Sequence, residues 1–248
     1  MRTNPLFQEG IQVYLVEGHG FVAYFYLLLF LASLEFLTLF LPSLDPQAWM
    51  GPANLFKVSS VAALMLVIYF TLRIANQEFV PWRFVSLNRR LHQEGLTISE
   101  VAVAQLSLLC LHAFLLVFLC APLLLWAGAI ARATAGSILS MFLLILFYSL
   151  AYGIWGLVAL ILWEHGFENR QVFVRSLFIS LVFLSALVYL PLNPVAFLLS
   201  RLSGEDMAPL VLWGWKWPAP SIHFLFHFLL LGSALPVYRW ALKRGSSL

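Results

Sequence analysis

The sequence predicts an all-α membrane protein with six transmembrane helices, on three observations. The chain is 62% hydrophobic and only 10% charged, whereas soluble domains carry roughly 25% charged residues. Its mean hydropathy is +0.92. Six stretches, over residues 21–41, 58–75, 103–127, 137–163, 172–190 and 222–241, approach the ~20 predominantly apolar residues that a helix needs to cross about 30 Å of hydrocarbon. No internal repeat or low-complexity tail divides the chain, so residues 1–248 form a single transmembrane domain.

The first span opens at Phe21. Its apolar core is too long for a cleavable signal, and no small-residue cleavage site precedes Pro42. Pro42, Pro46, Pro52, Pro194, Pro218 and Pro220 fall in the connections, because proline stops helices. Pro122 and Pro236 fall inside spans and predict kinks.

Between spans two and three lies the most polar internal stretch, "NRRLHQEGLTISEVAVAQL", from Asn88 to Leu106. Just upstream, Val85, Leu87 and Leu91 alternate with Arg83, Ser86, Arg89 and Arg90, which predicts a short amphipathic helix along the membrane surface. Thr97 or Ser99 can N-cap the helix that follows, with Glu100 in its first turn, where it complements the helix dipole. Such a segment either meets anionic headgroups or docks a soluble partner.

In span four, Gly153 and Gly156 beside Tyr148, Tyr152 and Trp155 predict close helix packing, with a substrate groove as the alternative. Residues 195–213 are too apolar for a free loop and predict short helices over the outer mouth. Trp213, Trp215 and Trp217 predict an aromatic belt at the outer interface.

Lys and Arg set the orientation. One side holds Arg2, Arg73, Arg83, Arg89, Arg90, Arg170, Arg175, Arg239, Lys243 and Arg244, which is ten. The other holds Lys57, Arg132, Arg201 and Lys216, which is four. Both termini are therefore expected in the cytoplasm, and the plain positive-inside pattern fits a bacterial inner membrane.

A few polar residues lie within the spans. Glu35 is ~21 Å along its helix, in the outer half of the bilayer, where a charge is costly and needs a cavity or a partner. His223 or His227, at comparable depth, is a candidate partner. These two histidines are four apart and share one face of span six. They could bind metal, but zinc takes three or four ligands and no other His or Cys is obviously near, so interhelical hydrogen bonding is expected. His112 is expected to be a packed, hydrogen-bonding histidine. Cys110 and Cys120, ~15 Å apart along one helix, are expected as buried small hydrophobes rather than a redox pair.

Several motifs, taken in order, resemble a known family. "NPLFQEGIQVYL" precedes span one, "GPANLF" leads into span two and "IANQE" closes it. "LTISEVAVAQL" opens span three, and "LPLNPVAFLLSRLSG" follows span five. Together they resemble the type-2 ABC transporter permeases, the membrane subunits of exporters driven by a separate ATPase. The resemblance implies an N-terminal cytosolic elbow helix and short extracellular helices between spans five and six. It also implies a coupling segment at Phe84 to Glu100, where Arg89, Arg90, Glu94 and Glu100, with Arg83 just before it, would meet the ATPase. Glu168 and Arg170, in the link between spans four and five, are the second candidate contact.

The sequence departs from the family at "FVPWRFVSLNRRLHQEG", at Gln105, where a lysine is common, and at Gln8, Glu9 and Glu17, where basic residues are usual. No GxxxxGK[ST] P-loop occurs. ATP and Mg are therefore expected on the partner ATPase, with no cofactor or metal in this chain and no catalytic residue. A second copy of the chain or a related permease, and membrane lipids, complete the expected partners; nucleic acid is not among them. The apolar route points to a hydrophobic or amphipathic substrate. Two other classes stay open: an intramembrane lipid-modifying enzyme, and a haem- or redox-handling module with His112, His223 and His227 as ligands.

Overall fold

The computed structural model describes residues 4–40, 51–212 and 214–245. Six helices in it are long and apolar enough to cross a membrane. The architecture is that of an all-α multi-pass membrane protein. Pro42, Pro46, Arg2, Trp213 and the end of the first expected span lie outside the described residues.

The first helix, α1 (Pro5–Ile11), is short and starts where its residues require. Asn4 caps it by accepting from Leu6 N at 3.1 Å and Phe7 N at 3.4 Å, and Pro5 takes the first helical position, where no N–H is needed. A π-helical turn, Gln12–Val16, follows. The first span is α2 (Phe21–Phe40), and the second is α3 (Leu55–Ala75), led by a 3₁₀ turn at Pro52–Asn54.

A 3₁₀ turn at Pro81–Arg83 and the helix α4 (Leu87–His92) then precede α5 (Ile98–Ile130). Thr97 and Glu100 form a reciprocal capping box at the start of α5, as the sequence predicts. The fourth span is α6 (Ala135–Leu162). The fifth is a composite of α7 (Phe167–Ile179), a π-helical segment Ser180–Leu184 and α8 (Ser185–Val188). After α9 (Pro194–Ser203) the chain forms two antiparallel strands, β1 (Leu210–Leu212) and β2 (Trp215–Trp217), and ends in α10 (Ala219–Gly245).

The hairpin corrects the expectation of helices throughout 195–213. Gly214, at φ 81°, supplies the left-handed backbone that the turn between the strands uses. Trp215 and Trp217 on β2 are exposed.

α3 and α6 are the most enclosed spans, and the other four keep apolar faces outward. Glycine makes that centre possible. A Cβ on Gly156 would lie 2.9 Å from the Leu72 carbonyl oxygen and 3.0 Å from Ala75 Cβ; one on Gly153 would lie 2.6 Å from Leu109 Cδ1. Close packing is therefore the role of these two glycines. Pro122 and Pro236 sit inside α5 and α10, which continue past them. Cys120 is buried but Cys110 is exposed, contrary to expectation, because successive turns of α5 bring position 110 to its outer face.

α1, α4, the start of α5 and the end of α10 gather on one face: Asn4 Nδ2 donates to Glu100 O at 2.7 Å, and Gly245 packs against Leu87. This is termed the termini face, and the opposite one, carrying α9 and the hairpin, the far face.

Candidate functional site

The termini face holds most of the charge. α1 approaches α5 so closely that a Cβ on Gly10 would lie 2.3 Å from Leu108 Cδ1. Against this pair α4 is locked by ions. Arg90, buried, reaches Glu9 Oε2 at 2.7 Å and Glu94 Oε2 at 3.5 Å. Arg83 reaches Glu17 Oε2 at 2.7 Å, at a more exposed site. The base of α4 is closed from the other side, where Glu164, in the turn just after α6, accepts from Leu87 N.

Beneath lies a second cluster. Glu78, with a fully buried carboxylate, accepts from Arg73 Nε at 2.8 Å and from Asn76 Nδ2 at 3.3 Å. Arg170, at the start of α7, is 2% exposed and stacks over Phe84 at 4.8 Å and Phe167 at 5.3 Å. The charges of Glu78 and Glu164 act on it, while its Nε and Nη1 have no hydrogen-bond partner. Arg170 thus wedges the fourth-to-fifth connection under the segment that leads into α4. Tyr14 completes the floor by donating to Ile74 O at 3.2 Å, and burial pushes its phenol upward so that it stays a neutral donor.

The sequence-derived candidates therefore divide. Arg90 and Arg170 brace the termini face from within, Arg83 pairs with Glu17 at its exposed rim, and Glu100 caps α5. Arg89, Glu94 and Glu168 are exposed, and Arg89 makes no ion pair among the described residues. Gln105 accepts from Tyr238 of α10, a polar link between spans. Sequence reasoning missed Glu9, Glu17, Glu78 and Glu164 as partners. For the first two, a pair of acidic residues close together just before the first span was the available signal.

Inside the membrane region, His223 and His227 bond across to α6. His223 Nδ1 faces Pro191 O at 2.6 Å, and a carbonyl only accepts, so Nδ1 carries the proton. Nε2 then accepts from the Tyr148 hydroxyl at 2.5 Å. His227 repeats the arrangement, with Nδ1 on His223 O at 2.8 Å and Nε2 on the Tyr152 hydroxyl at 2.7 Å. Both imidazoles have both nitrogens engaged. Phe197 stacks on His223 with ring centroids 3.7 Å apart, and Arg201 lies over Phe197. Metal or haem ligation through either Nε2 would break its tyrosine bond. His112 Nδ1 bonds the Tyr24 hydroxyl at 2.6 Å, joining α5 to α2, and its Nε2 is unpartnered.

Glu35 is not beside these histidines. It is buried facing α3, and the candidate pairing with His223 or His227 is corrected: both imidazoles are already engaged by tyrosines of α6 and by backbone carbonyls. On the far face a cleft of about 750 Å³ lies between the start of α3 and α9, lined by Lys57, Tyr189, Ser200, Glu205 and Asp206 among others.

No family model, curated protein or solved structure matches the chain.

Proposed function

We propose that the chain is the membrane-spanning permease subunit of an ABC exporter, moving a hydrophobic or amphipathic substrate with ATP hydrolysed by a separate ATPase. One observation carries the reading: Arg90–Glu9 ties α4 to α1, Arg83–Glu17 ties the turn before α4 to the segment after α1, and Asn4–Glu100 ties α1 to the capped start of α5, so that the three form one braced unit continuous with a long span. Force applied to α4 reaches α5 through paired charges and a capped helix end rather than through a slack loop. The motif resemblance supports the same reading, with α1 as the elbow and α4 as the coupling helix. A lipid-surface role for α4 needs no such bracing. The basic asymmetry supports a cytoplasmic termini face, and a second copy or a related permease would complete the transport route.

Within this unit Arg89 is the exposed cation with no ion pair among the described residues, the one that a docking cleft would read, while Arg83 is paired with Glu17 and Arg90 with Glu9. Affinity purification of the tagged chain from its native membranes should recover a protein with a GxxxxGK[ST] P-loop. Arg89→Glu should reduce that recovery at least tenfold at matched expression, since like charge at a docking surface costs several kcal/mol. Full recovery with Arg89→Glu, or no P-loop protein with the wild type, contradicts the assignment.

A further inference from the structure

Glu35 continues the inward stripe of α2, following Leu27 and Leu31 at four-residue steps. Packing against the bundle therefore decides its surroundings. The residue is 1% exposed, and neither carboxyl oxygen has a hydrogen-bond partner. From α3 it is faced by Ser59, whose hydroxyl bears on the carboxyl without forming a hydrogen bond to it. The neighbouring Ser60 is also fully buried with an unpartnered hydroxyl. From α5 comes the Cys120 thiol, near enough to feel the carboxyl charge. On α2 itself, Thr38 directs its hydroxyl to Leu34 O at 2.7 Å. No basic side chain or second carboxyl bears on Glu35 among the described residues.

A carboxylate in that setting gives up its hydration and receives no counter-charge in return. A metal ion is a poor remedy, because hard cations take about six oxygen ligands and this wall offers one carboxyl and one or two hydroxyls. A proton removes the charge and turns the group into a donor for the Ser59 hydroxyl. We infer that Glu35 is a proton-binding site in the membrane interior: a neutral carboxylic acid when α2 is packed on α3 and α5, ionising only when α2 separates enough to admit water. α2 is suited to that movement. It is far less enclosed than α3 or α6 and carries a continuous exposed apolar face that includes Phe25, Leu29, Phe36 and Phe40. By linkage, a movement that releases the proton is itself favoured by its removal. The inference rests on burial and packing, and does not depend on the transport reading.

Infrared spectroscopy of the purified chain in lipid nanodiscs tests it directly. The wild type should show the carbonyl stretch of a protonated carboxylic acid at about pH 7, where exposed carboxyls are ionised. The band should persist to about pH 8, disappear in Glu35→Gln and shift in frequency in Ser59→Ala. The serine variant keeps the test open if the glutamine variant does not fold. Absence of the band in the wild type, or a band that neither substitution alters, overturns the proposal. So does a band that vanishes when sodium chloride replaces choline chloride, which would mark a bound cation instead of a proton.

Discussion

Between α6 and α10, Tyr148, Tyr152, His223 and His227 all have hydrogen-bond partners, whereas between α2 and α3 the Glu35 carboxyl and the Ser59 and Ser60 hydroxyls have none. Both groups are buried in the same bundle. The first joins two spans through donors and acceptors whose protonation is set by fixed carbonyls, so it can do little but hold α10 in place. The second has only the Ser59 hydroxyl bearing on its carboxyl and no fixed carbonyl to set its protonation. A polar group that forms no hydrogen bond in the packed state can respond to another state, and the difference separates the adhesive part of this bundle from the responsive part.

The largest expected effect lies on the adhesive side. His223→Ala removes the ring stacked on Phe197 and leaves the Tyr148 hydroxyl and the Pro191 carbonyl without their partner. It should destabilise the protein by about 3 kcal/mol in reversible unfolding in mixed micelles. A loss below about 1 kcal/mol would mean that the Tyr–His pairs are not what holds α10. On the responsive side, Glu35→Gln exchanges one neutral side chain for another of the same shape and should change stability by less than about 0.5 kcal/mol under the same conditions. A loss comparable to that of His223→Ala would give Glu35 an ionic partner and erase the contrast.

Much of the fold was legible in the sequence. Six long apolar runs predict six spans, and Thr97 followed by Glu100 predicts the start of α5, because hydrophobic periodicity and capping are local signals. The helices extend past the expected ends, as in α5 from Ile98 to Ile130 and α10 from Ala219 to Gly245, because polar and interfacial residues continue a helix beyond the hydrocarbon. The hairpin after α9 was not legible: an apolar, Trp-rich run carries no period that separates strand from interfacial helix, and only Gly214 marked the turn.

The site was legible in part. The depth of Glu35 follows from counting residues, but its neighbours depend on how α2 rotates against α3, which no local pattern states. Adjacent Arg89 and Arg90 look alike in sequence and differ in structure because only position 90 points at Glu9, 81 residues away. That partner is set by how α1 folds back on α5.

The function proposed for the termini face stands or falls on what touches Arg89. The direct measurement places a photo-crosslinking amino acid at position 89, and separately at Trp215 on the far face, in cells expressing the chain at normal level. The account predicts covalent capture of a P-loop ATPase from position 89 and none from position 215. Crosslinking to lipid alone at position 89 would contradict it and leave α4 as a helix on the membrane surface.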